Sequence, residues 1–219
     1  MEHRTTYSAS AESALATNKV LRNTYTLLAM TFAFSAFTAL ISMQFDFGFL
    51  GRIGFMIAAI VCLFITHKKA DSSQGLFWTF AFVGFMGLGL GPLLNHYLAL
   101  SNGGEIVMQA LGGTALVFFG LSAYALTSKK DFSFMGGFLM VGMIVVVVAM
   151  LANLFFQVPA VSLAISAAVV LLMSGMILFD TSRIVHGGET NYIRATVSLY
   201  LNIYNLFVHL LALIGMGED

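Results

Sequence analysis

Four polar residues near the C-terminus, Ser198, Asn202, Asn205 and His209, are spaced by four, three and four positions within VSLYLNIYNLFVHLL. On a helix they share one face. Two amides and an imidazole are individually costly in hydrocarbon, and such groups face a bundle interior or a wet cavity. Their chemistry is therefore either that of a hydrogen-bonded seam between helices or that of the lining of an ion or proton route. Asp180 is the residue best placed to complete the set. It closes a run of 48 residues free of formal charge and histidine, inside GMILFDTSRIVHGG at 175–188. A carboxyl there is pulled two ways: loss of water favours its neutral form, while donation from Asn202 or a nearby cation favours the charged one. The plainer alternative is a helix-exit aspartate paired with Arg183 or capped by Thr181 and Ser182.

The elements that must position these residues follow from composition. Hydrophobic residues make up 59% of the chain and charged residues 9%, more apolar matter than a soluble core uses. A bilayer's hydrocarbon is about 30 Å thick and needs roughly 20 helical residues to cross. Cut at its charges, the chain yields Asn23–Phe45, Ile53–Thr66, a stretch from after Asp71 to about Asn95, Ile106–Ser128, the 48-residue run, and Ala195–Gly217. The long run is more than twice the bilayer thickness at about 1.5 Å per residue, and FFQVPAV places Gln157 and Pro159 near its middle, where a helix breaks. The short second stretch borrows FGFL ahead of Arg52, whose side chain can snorkel to the headgroups. The expectation is an all-α membrane bundle of seven transmembrane helices over 19–219, the sixth and seventh antiparallel, sequential and joined by a short loop.

Orientation follows from the basic residues, which collect in cytoplasmic loops. With the N-terminus inside, Arg4, Lys19, Arg22, Lys68, Lys69, Lys129, Lys130, Arg183 and Arg194 all fall on the cytoplasmic side and Arg52 alone outside. Seven spans then carry the C-terminal GMGED to the periplasmic face. Met1 to Asn18 is polar and rich in Ser, Thr and Ala, without the apolar stretch of a signal peptide. It reads as a disordered cytoplasmic tail, either idle or a handle for a partner.

Several chemistries are excluded or weak. Net charge is zero and the single cysteine, Cys62, sits inside a span, which leaves no disulfide framework, no thiolate metal cluster and no basic surface for nucleic acid. No cofactor or metal is expected. The glycines of GFMGLGLGPLLNHY resemble a phosphate loop only superficially, since no strand precedes them and no Lys-Ser/Thr follows. Gly84, Gly87 and Gly91 read instead as helix-packing positions, as do Thr24, Thr31, Ser35, Thr38 and Ser42 on the first span, and Pro92 can kink the third span. HGGE at 186–189 places acid and imidazole together but reads as a flexible connection, and the chain is not expected to be an enzyme.

The segments FDTSRIVHGGETNYIRATVSLYLNIYNLF (179–207), LRNTY (21–25), GGTALVFF (112–119) and TSKKDFSFMGG (127–137) resemble the transmembrane Bax inhibitor motif family from about Lys19 to the last span. The resemblance implies a seven-helix bundle with the last helix surrounded by the other six. It further implies a pH-sensitive calcium leak in which two aspartates share protons and a basic latch from the second helix holds the pore shut. Asp180 matches the first aspartate. The second is Asn202 here, because the family's LYLD reads LYLN. The latch falls within His67, Lys68 and Lys69, with Arg183 a further candidate. Losing the second carboxylate removes the coupled titration of a dyad and one of the oxygen ligands that calcium prefers, so a weaker or acid-shifted pH response is expected and calcium conduction becomes the secondary reading. Bacterial inner-membrane members of the family imply the primary one: a protein held in the lipid bilayer that binds the membrane-anchored ATP-dependent protease FtsH and its associated membrane regulators through its N-terminal tail, as a slowly degraded substrate.

Overall fold

Apolar length and two backbone breaks decide the elements. The computed structural model describes the backbone of residues 2–45, 47–128 and 130–216, with side chains from Leu15 onward. Its helices are α1 (Glu2–Ser42), α2 (Gly48–Lys69), α3 (Gln74–Leu98), α4 (Gly103–Ser128), α5 (Gly136–Phe156), α6 (Pro159–Val185) and α7 (Tyr192–Met216), with a 3-10 turn at Ser133–Met135. Each contains a stretch long and apolar enough to cross a membrane. The second span does begin at the borrowed Gly48, and the long apolar run is divided at the expected place. There Gln157 adopts a left-handed backbone with φ 51° and its N–H donates to the Asn153 carbonyl at 2.8 Å. Val158 is extended and Pro159 opens α6 as its first residue, where its missing N–H costs no helical bond.

The span within α1 is Leu15–Ser42, and the backbone of 2–18 continues the same helix where the sequence predicts an irregular tail. No glycine or proline interrupts the chain before Gly48, and the leader's Ala, Glu and Leu favour helix. Met1, Lys129 and the C-terminal Gly217, Glu218 and Asp219 lie outside the described residues.

Helix α7 is the centre of the bundle. It packs against α1, α4, α6 and, more lightly, α3, whereas α2 rests chiefly on α3 and α5 chiefly on α6. The family's arrangement of six helices around the last is therefore narrowed to four direct neighbours and two outer helices. Tyr200 of α7 is fully buried, in contact with the tilted ring of Phe32 at 4.9 Å and edge-on with Phe82 at 5.7 Å between ring centres, and its hydroxyl shares a 2.7 Å hydrogen bond with Ser35 of α1.

The glycine stripe of α3 faces α1, as the packing reading predicts: a side chain at Gly87 would run into the Ser35 carbonyl, and one at Gly91 into Ser42. Pro92 lies inside α3 and leaves the Leu88 carbonyl without its helical donor. Ser42 Oγ supplies the replacement from α1, donating to the Leu88 carbonyl at 2.6 Å.

Candidate functional site

Helix α7 starts where Asn191 accepts from the backbone N–H groups of Ile193 and Arg194 at 2.8 and 3.1 Å, an N-cap that satisfies two of the helix's free donors. Its register then carries Ser198 and Asn202 against α6. Ser198 Oγ and Asn202 Nδ2 both donate to Asp180 Oδ2, at 2.5 and 2.7 Å. Asp180 is 6% exposed and Asn202 5%, so these two donors replace water for a carboxyl cut off from solvent. Asp180 of α6 and Asn202 of α7 thus lie at one level of the seam.

The rest of the polar face divides. Asn205 Nδ2 turns back to the Leu201 carbonyl of its own helix at 2.8 Å. His209 Nδ1 pairs with Ser166 Oγ of α6 at 3.1 Å, near the far end of the α6–α7 seam. That histidine borders a cavity of about 570 Å³ with Ser162, Asn153 and Gln157, and Asn153 Nδ2 donates to Ser162 Oγ at 2.7 Å. The stripe thus brings two of its members to Asp180 and leaves Asn205 and His209 with separate partners.

The candidate latch residues are not on the carboxyl. His67, Lys68 and Lys69 are exposed at the end of α2, and among the described residues no ion pair joins them to Asp180. Arg183 lies 4.0 Å from the Glu189 carboxylate and donates to the Gly188 carbonyl at 3.2 Å. Ser182 caps no Asp180 oxygen; it accepts from the Phe132 N–H at 2.9 Å, tying α6 to the α4–α5 connection. Thr181 Oγ1 is buried and has no partner among the described residues.

Sequence reasoning missed the tether around the α6–α7 connection. Asn191 Nδ2 donates to both the Ala70 carbonyl and Asp71 Oδ1, at 2.9 and 2.8 Å, and Arg194 forms an ion pair with Asp71. Glu189 accepts from the Asn191 N–H at 2.9 Å, so HGGE, read as a flexible connection, is a tied turn. The available signal was an asparagine immediately before a long apolar helix. Beyond the spans, Asp131 accepts from the Ser133 N–H at 2.9 Å, and the Ser133 hydroxyl and amide together hold its carboxyl below the ordinary carboxylate range. Among the described residues, no three His, Cys, Asp or Glu side chains gather as a metal site.

Comparison with known proteins adds the family. A family profile described as "Inhibitor of apoptosis-promoting Bax1" matches residues 17–219. The chain is 52% identical over 218 residues to "Modulator of FtsH protease YccA" of Escherichia coli K12, covering 100% of this chain and 99% of that protein. It is 53% identical over 215 residues to an "Uncharacterized membrane protein" of Vibrio cholerae, covering 98% and 96% of the two chains.

Proposed function

Because the chain belongs to the Bax inhibitor-1 family, we propose that it is a modulator of the membrane-anchored protease FtsH, a substrate-like partner that restrains the enzyme's action on other membrane proteins. It is a multi-pass inner-membrane protein. The observation that carries the reading is the 52% identity, from end to end, to a protein named for that role. The physics is compatible. A protease that extracts targets from one end needs a polar segment to engage, and residues 2–14 extend α1 beyond its membrane span by about 20 Å at 1.5 Å per residue. A bundle with its last helix buried at the centre resists being pulled apart. In this reading the basic residues face the cytoplasm, with the N-terminus, and the polar seam of Asp180, Ser198 and Asn202 serves packing.

The test is the half-life of a membrane substrate of the protease in cells expressing the full chain, the chain lacking residues 2–18, or Asp180→Asn. Tail deletion should abolish protection and Asp180→Asn should keep it. Protection that survives deletion but fails in Asp180→Asn, together with acid-sensitive calcium flux in proteoliposomes, would replace the modulator by a proton-gated leak.

A further inference from the structure

Helices α1 and α4 both lean on α7, but below the Tyr25–Phe118 ring contact, 5.9 Å between centres, a groove separates them. Its volume is about 510 Å³, its floor is formed by Ile203, Tyr204 and Phe207 of α7, and its far end is closed by Leu90 and Leu94 of α3. The lining runs along α1 from Tyr25 to Leu40, about 22 Å at 1.5 Å per residue. Nearly every exposed lining atom is apolar, and the groove opens sideways past Leu40 and Leu111, 61% and 54% exposed. All four helices that line it are membrane spans, so hydrocarbon, not water, is the surrounding solvent.

Two features at its basic end specify more than hydrocarbon. The Tyr25 hydroxyl is buried with no partner among the described residues, a costly state for a donor. Arg22 precedes Ala29 and Ala36 of the groove wall at intervals of seven, hence on the same helical stripe, about one turn above Tyr25. Arg22 and Lys19 are both exposed.

We infer that this groove binds one anionic phospholipid, its acyl chain lying along α7 between α1 and α4, its ester oxygens within reach of the Tyr25 hydroxyl and its phosphate between Arg22 and Lys19. A transmembrane helix is the poorer occupant. At about 10 Å across it occupies on the order of 1,700 Å³ over that length, more than all the empty space between the walls, about 1,380 Å³. The site does not depend on the protease reading. It does give the bundle a lipid that fills the gap between its first helix and its centre.

The full-length chain reconstituted with phosphatidylglycerol carrying a photoreactive group midway along one acyl chain tests this. Adducts are expected on Ile203 or Phe207, and Ala36→Trp and Ala115→Leu, which fill the groove from either wall, should each remove them, while Leu116→Trp on the outer face of α4 should not. Arg22→Gln should lower the preference for phosphatidylglycerol over phosphatidylcholine about fivefold, the contribution of one surface cation, without moving the adducts. Adducts confined to outward residues such as Leu116, or unchanged by both groove-filling variants, would reduce the groove to ordinary lipid-facing surface. Equal labelling by both headgroups in the native chain would remove the anionic assignment, and cross-links from the groove to another protein would give it to a partner helix.

Discussion

Asn202 Nδ2 donates to Asp180 Oδ2 at 2.7 Å, and the same oxygen also takes the Ser198 hydroxyl. One carboxylate oxygen thus fastens α6 to α7 at two successive turns of α7. Hydrogen bonds between membrane helices average about 0.6 kcal/mol, but a buried acceptor left short of its donor costs about 1–3 kcal/mol. Asn202→Ala should therefore cost on the order of 2 kcal/mol in the native chain and markedly less in an Asp180→Asn background. A thermal double-mutant cycle in micelles measures the difference, and additive effects would mean the pair is not coupled.

Restoring the second family aspartate tests the same seam by charge. Two carboxylates in one buried pocket resist double ionisation, so Asn202→Asp should be most stable in acid and lose stability as pH rises toward neutral. The native chain, with one carboxylate and an amide donor, should show a flatter profile. Unfolding midpoints measured from about pH 5 to about pH 8 distinguish them, since the second ionisation of a close carboxylate pair is pushed well above the ordinary carboxylate range; parallel profiles would argue that the two side chains do not share a pocket.

Ser42 and Pro92 form a second linked pair. Ser42→Ala strands the Leu88 carbonyl in the bundle and should cost about 1–3 kcal/mol, the penalty of an unmet buried acceptor. In a Pro92→Ala background the restored backbone N–H can take that carbonyl, and the cost of Ser42→Ala should fall to a few tenths. Equal costs in both backgrounds would mean the serine acts through packing alone.

At the basic end, Asn191 should outweigh the more conspicuous ion pair. Arg194 and Asp71 are 39% and 74% exposed, and exposed pairs contribute about 0.2–1 kcal/mol. Asn191 caps α7, for which about 1 kcal/mol is usual, and also bonds the α2–α3 turn. Asn191→Ala should lower the melting temperature more than Arg194→Gln, and only the latter's effect should fade in high salt.

Much of this was legible in one dimension, because hydrocarbon thickness and helical period are constraints that act along the chain. Cutting at the charges left six stretches, Gln157 and Pro159 divided the longest into two, FGFL ahead of Arg52 completed the shortest, and spacings of four, three and four put Ser198, Asn202, Asn205 and His209 on one face. What the tertiary structure decided was the partner of each. A shared face leaves open the axial offset and rotation between two helices, which depend on how large side chains such as Tyr200 and Phe82 interlock. Asn205 meets its needs on its own helix, His209 finds Ser166, and only Ser198 and Asn202 come level with Asp180. The Asn191 and Ser42 contacts join residues 121 and 46 positions apart, and no local periodicity encodes a pairing at that distance.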